Sequence, residues 1–156
     1  MSRRDQIRMS PEEIEAFIDE QKTLMVASLD RDGQPHLAPM WFAVLDGSIV
    51  FWTYRSSQKV ANLRRDPRLT CLLEDGESYD QLRGVSMQGA GTIVDDPSAV
   101  RRAGIAILER YLGPLESSAR ESFEAGVAMQ AAKRVAVTFH AKKTASWDHW
   151  KLAGAY

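Results

Sequence analysis

The stretch Phe51-Trp52-Thr53-Tyr54-Arg55-Ser56-Ser57-Gln58-Lys59 gathers, at the end of one strand and the start of one helix, the groups that bind a doubly charged anion. Thr53, Ser56 and Ser57 supply hydroxyls, and Arg55 and Lys59 supply positive charge. A helix start adds unpaired backbone N–H groups and a partial positive charge aimed along the axis. The alternative is an ordinary capped helix with a solvated lysine and arginine. A second stretch, His36-Leu37-Ala38-Pro39-Met40-Trp41-Phe42, places a proline inside a strand, so that strand must lie at an edge or in a bulge. Backbone left unpaired there, beside Met40 and Trp41, can read the edge of a flat heteroaromatic ring, or the aromatic residues can simply be core.

Other chemistries find less support. His36, His140 and His149 have no spacing typical of a metal site, and no cysteine or carboxylate cluster completes one. Asp148 next to His149 could tune a proton donor, the alternative being a structural, hydrogen-bonded histidine. There is no G-x-S-x-G, no Walker loop and no G-x-G-x-x-G, since Gly89-Ala90-Gly91 lacks the third glycine and the following helix.

The elements that must hold these residues are mostly strands. Ser10-Pro11-Glu12-Glu13 starts a helix carrying Ile14, Phe17 and Ile18 on one side. Thr23 to Leu29 and Pro35 to Leu45 form a hairpin about Asp30-Arg31-Asp32-Gly33, and Asp46-Gly47 turns the chain into a strand over Ser48 to Tyr54. Ser56 or Ser57 caps a short helix with Val60, Ala61 and Leu63 on one side. Leu69 to Leu73 is a fourth strand, Glu74 to Gln81 a loop, and Arg83 to Val94 a long strand whose glycines predict a bend or bulge. Two helices follow, from Asp96-Pro97 to Gly113-Pro114 and over about Glu116 to Ala131. Val135 to Phe139 is a sixth strand, and Lys142 to Trp150 is extended. Six or seven antiparallel strands with inserted helices predict a mainly β fold, a small barrel whose open edge a second subunit can cover.

A chain of 156 residues with 44% hydrophobic content supports one core and one domain, residues 1–156. Its net charge of -1 offers no basic field for nucleic acid or an anionic membrane, so any anion site is local. No apolar run approaches the roughly 18 residues of a membrane span. The single cysteine, Cys71, sits in an apolar run and has no partner for a disulfide within the chain, which predicts a buried thiol in a cytoplasmic protein.

Taken in order, Gly33-Gln34-Pro35-His36, Pro39-Met40-Trp41-Phe42, Phe51-Trp52-Thr53, Ser57-Gln58-Lys59, Asn62-Leu63-Arg64-Arg65-Asp66-Pro67-Arg68 and Val85 to Thr92 with Gly89 resemble the pyridoxamine 5'-phosphate oxidase-like split-barrel family. Ser146-Trp147-Asp148-His149-Trp150-Lys151-Leu152 looks like the ending of its bacterial members, so the likeness runs from about Thr23 to Leu152. The resemblance implies a split β-barrel homodimer with two cofactor sites at the interface, each taking FMN or the deazaflavin coenzyme F420. It implies that Thr53, Ser57 and Lys59 hold the cofactor phosphate with Arg55 as helper, and that Met40, Trp41 and Phe42 lie along the ring, largely through backbone. Gln88 and Trp147 would complete the pocket from the other subunit.

Two departures narrow that implication. No arginine-rich motif for a substrate phosphate stands near the C-terminus, where Trp147-Asp148-His149 is found instead, which argues against vitamin B6 oxidation. Ser57 stands where several deazaflavin-using relatives carry a basic residue, so the charge on that longer coenzyme would fall to Arg55, Lys59 or Arg64. The implied activity is hydride transfer between the bound ring and a small organic substrate stacked against Trp41, Trp147 or Trp150, with protonation from solvent or His149. The alternatives are a non-catalytic flavin or haem carrier or sensor built on the same barrel, and a purely structural dimer.

Overall fold

The computed structural model describes residues 2–153. Two short helices, α1 (Arg3–Gln6) and α2 (Pro11–Glu20), precede four strands: β1 (Leu24–Leu29), β2 (Pro35–Met40), β3 (Ala43–Leu45) and β4 (Ser48–Tyr54). Helix α3 (Gln58–Arg65) leads to β5 (Arg68–Asp75) and β6 (Arg83–Val94). Helices α4 (Pro97–Leu112) and α5 (Ser117–Ala131) lead to the last strand, β7 (Arg134–Asp148). Ser10 caps α2 as its sequence signature predicts: its hydroxyl accepts from the Glu13 N–H, and the Glu13 carboxylate accepts from the Ser10 N–H.

All strand pairs are antiparallel, in the order β2-β1-β5-β6-β7-β4-β3. This order forces the sheet to curl. Strands β2 and β3 are its two edges, yet only Trp41 and Phe42 separate them in the chain. Three Cα steps reach at most about 11 Å, whereas the edges of a flat seven-stranded sheet lie roughly 29 Å apart. Closure brings Leu24, Val26, Phe42, Phe51, Cys71 and Val85 into one interior cluster, to which α2 adds Phe17 and α3 adds Leu63. A second cluster forms outside the barrel, where Val100, Ala103 and Ile107 of α4 and Val127 of α5 cover Val50, Trp52 and Ala136. Burial pushes the Cys71 thiol up to about 12, so it behaves as a small apolar side chain.

The run expected as one strand over Pro35 to Leu45 is two, because the chain leaves β1 at Met40 and rejoins the sheet beside β4 at Ala43. Conversely, the expected strand over Val135 to Phe139 and most of the extended segment over Lys142 to Trp150 are one, β7, which pairs with β6 from Ala136 to Asp148, whereas His149 and Trp150 turn into a short 3-10 helix, His149–Leu152. The predicted irregularity in β6 falls between Gln88 and Gly89. A Cβ on Gly89 would collide with the His140 carbonyl, so only glycine lets β7 approach there. At the β3–β4 hairpin Asp46 and Gly47 both take positive φ, 51° and 75°, as a two-residue turn of this sequence requires.

Helix α3 is tied to the barrel by a buried polar network. Asn62 is fully buried, and its amide donates to Ser28 Oγ on β1 at 3.0 Å. Its Oδ1 accepts from Gln58 Nε2 at 2.8 Å and from Arg65 at 3.3 Å, while Arg65 also donates to the Leu29 carbonyl at 2.6 Å. Replacing Asn62→Ala strands the buried Ser28 hydroxyl, a cost of about 2 kcal/mol, seen as a fall of roughly 4–8 °C in Tm for a domain of this size. An unchanged melting curve would show that the network does not hold the helix.

Candidate functional site

The corner between β4 and α3 is built from a strand end, a turn and a cap. Thr53, buried on β4, donates from Oγ1 to Ser57 Oγ at 3.3 Å, and the Ser57 N–H closes the turn onto the Tyr54 carbonyl at 2.9 Å. Ser57 is the N-cap of α3, its hydroxyl accepting from the Val60 N–H at 3.4 Å. The amides of Gln58 and Lys59 then have no acceptor within the helix and point out of its first turn. The buried Val60, Asn62 and Leu63 hold that turn against the sheet, so the donors are fixed rather than mobile.

Lys59 supplies the charge. Its side chain is half-buried, and burial holds the ammonium below the usual lysine range. Among the described residues no carboxylate pairs with it. A desolvated cation beside two hydroxyls and a helix N-terminus is the donor set that a phosphate dianion completes, so these residues fit such a group.

The remaining predicted residues distribute over four places. Arg55 lies outside the corner: it is ion-paired with Asp95, reaches the Arg134 carbonyl at 3.4 Å, and lines a hollow of about 350 Å³ beside α4 and α5. At the β2–β3 link, Met40 packs on the interior cluster and Phe42 is core, with the Arg110 guanidinium 4.6 Å from its ring centroid. The Phe42 N–H donates to the Tyr111 hydroxyl at 3.1 Å, and Trp41, 49% exposed, stacks on the Tyr111 ring at 4.2 Å. Gln88 is exposed on β6 and lines a groove of about 310 Å³ with Ser28, Pro35, Arg68 and Thr70. Trp147 sits opposite Gly84 in the β6–β7 ladder, its indole filling the space that a side chain at Gly84 would need. Neither Gln88 nor Trp147 hydrogen-bonds to the corner of its own chain.

His149 follows directly on β7. It is buried, with Nδ1 2.7 Å from the Tyr79 carbonyl, and the Asp148 carboxylate accepts from the Trp150 N–H at 3.0 Å. Among the described residues no group of three His, Cys, Asp or Glu side chains is placed to hold a metal ion. No helix among them is long and apolar enough to cross a membrane. Sequence reasoning missed the Asn62 network and the contacts of Tyr111 with the β2–β3 link. A polar residue between Val60 and Leu63 on the buried side of α3 was the available signal for Asn62. For Tyr111 none was available, because its partners are 69 and 89 residues away.

A family model described as pyridoxamine 5'-phosphate oxidase matches residues 10–148. No protein of curated function matches the chain. A crystal structure of the conserved hypothetical protein Rv2991 from Mycobacterium tuberculosis is 46% identical over 98% of this chain and 93% of its own, with a TM-score of 0.89. Two more distant structures share the fold. One is an F420 reductase, 22% identical, covering 84% of this chain and 94% of its own with a TM-score of 0.64. The other is the haem storage protein HutZ from Vibrio cholerae, 16% identical, covering 91% and 95% with a TM-score of 0.66.

Lys59→Met should leave the ligand-free protein as stable as before or more so, because it removes a charge that folding desolvates. The penalty on wild type is fully present at low pH, where Lys59 is charged in both states, and is relieved as pH rises from the lowered folded-state pKa toward the unfolded one. Phosphate-ligand affinity should run the other way, falling in wild type as Lys59 deprotonates and showing no such fall in the variant. Parallel titrations and melting curves check both signs; a variant that binds like wild type would remove Lys59 from the site.

Proposed function

The chain belongs to the pyridoxamine 5'-phosphate oxidase family, and we propose that it is a homodimeric oxidoreductase that binds a phosphate-bearing flavin or the deazaflavin F420 and transfers hydride to or from a small organic substrate. The observation that carries this reading is Lys59, half-buried at the N-terminus of α3 beside Thr53 and Ser57 without a carboxylate among the described residues. When bound, the ring supplies two-electron chemistry that no side chain here provides.

The protein's part is to bind, orient and exclude water. Thr53, Ser57 and the first amides of α3 meet the phosphate oxygens, and Lys59 neutralises their charge. Arg55 assists only where it exchanges Asp95 for the ligand, which suits the longer anionic coenzyme better than FMN. Met40 and Trp41 meet the ring through backbone, the Phe42 amide being committed to Tyr111.

A second copy of the chain completes the pocket. The outward residues of edge strand β2 are Pro35, Leu37 and Pro39, all apolar and exposed, and the prolines offer no N–H for further strand pairing. A sheet face of this kind is ordinarily covered. In the dimer it meets the partner, and Gln88 and Trp147 close each site from across the interface. The single buried thiol suits a cytoplasmic protein.

The Nδ1 of His149 is engaged by the Tyr79 carbonyl, which supports a second reading as a non-catalytic flavin or haem carrier. Titration of the purified protein with FMN, F420 and phosphate-free riboflavin tests the main proposal. FMN or F420 should bind at least about 30-fold tighter than riboflavin, roughly 2 kcal/mol, and the loaded protein should exchange hydride with a donor. Equal binding of FMN and riboflavin would contradict the phosphate corner, and binding without hydride exchange would favour the carrier.

A further inference from the structure

Tyr111, near the end of α4, touches the link between the two sheet edges twice and the segment before β1 once. Its hydroxyl accepts from the Phe42 N–H at 3.1 Å and donates to the Lys22 carbonyl at 2.5 Å, just before β1. Its ring lies flat on Trp41, with centroids 4.2 Å apart and planes 7° from parallel. Lys22 also ties the segment before β1 to the end of α4: it donates from Nζ to the Arg110 carbonyl at 3.3 Å and sits 5.5 Å from the Tyr111 ring centroid. Burial pushes the Tyr111 hydroxyl above the usual tyrosine range, so it remains protonated and able to donate.

The consequence falls on Trp41. One face of its indole is covered by Tyr111, and with 49% of the residue exposed the other face is open. A large flat side chain fixed on one side by a stacked partner, itself anchored by two hydrogen bonds, loses little further freedom when a ring stacks on it.

The link also stands at the correct end of the barrel. In the β3–β4 ladder Ala43 is opposite Val50, and β4 continues from there toward Thr53 and the α3 corner, while the chain before Ala43 runs back through Phe42 and Trp41 in the same direction. Helix α4 spans this region. Gly104 packs against Trp52, the neighbour of Thr53, and Tyr111 lies seven residues further along, about 10 Å of helix.

We propose that Tyr111 is a positioning residue for the ring of the cofactor, holding the Met40–Phe42 backbone and the open indole face of Trp41 in place for a flat conjugated ligand. This rests on the cofactor reading given above and adds to it a division of labour: the α3 corner reads the phosphate, and the α4-clamped link reads the ring.

Two variants separate the contributions. Tyr111→Phe keeps the stack and loses the hydroxyl, and Tyr111→Leu loses both. The measurements are the dissociation constant of whichever of FMN and F420 binds wild type more tightly, and the inorganic phosphate concentration that half-maximally raises Tm. Tyr111→Leu should weaken the ring-bearing ligand about tenfold or more while the phosphate midpoint stays within about twofold, and Tyr111→Phe should fall between it and wild type. Unchanged cofactor affinity in Tyr111→Leu, or an equal loss toward cofactor and phosphate, would overturn the proposal; should Tyr111→Leu fail to fold, unchanged affinity in Tyr111→Phe would do so. Wild type that binds phosphate but neither ring-bearing ligand would instead sink the cofactor reading itself.

Discussion

An ammonium withdrawn from water destabilises a protein unless something negative meets it, and Lys59 is in that position. The fold places it in the first turn of α3, half-covers it, and sets no carboxylate of the described residues against it. Around it stand groups that favour the same kind of partner: the Ser57 hydroxyl, the Thr53 hydroxyl behind it, and the unpaired amides of a helix N-terminus. A dianionic phosphate would reverse the sign of the whole arrangement, turning a desolvation penalty into a charge-assisted contact.

The rest of the structure serves to keep that corner rigid. Asn62 joins α3 to β1 from inside, so the helix cannot rotate away from the sheet without leaving the amide and the Ser28 hydroxyl unsatisfied. The two-residue link through Trp41 and Phe42 closes the sheet on itself, and α4 anchors the link through Tyr111 while packing Gly104 on Trp52. The α3 corner and the β2–β3 link are thus fixed by separate elements, the first by α3 and the second by α4, with β4 between them.

Much of this was legible in the residues because the signals are local. Ser10-Pro11 with Glu13, Asp46-Gly47, Ser57 before Val60 and Asp96-Pro97 each encode a cap or turn within four residues, and each stands where its chemistry requires. What was not legible depends on distant partners. The break at Trp41 follows from two strands pairing at opposite edges of a closed sheet, and nothing in Pro35 to Leu45 records that. The local motif around Arg55 records nothing of its pairing with Asp95, forty residues on. The stacking of Trp41 on Tyr111 and the engagement of His149 by the Tyr79 carbonyl are tertiary in the same sense. The order of motifs encodes the fold; the partner of each side chain is set by tertiary contacts.

The most direct measurement is a crystal structure of the full-length protein with FMN or F420 bound. The account predicts the cofactor phosphate within about 3 Å of Ser57 Oγ, of the Gln58 or Lys59 amide and of Lys59 Nζ. A phosphate bound elsewhere, or Lys59 found paired with a carboxylate of a second subunit, would contradict it.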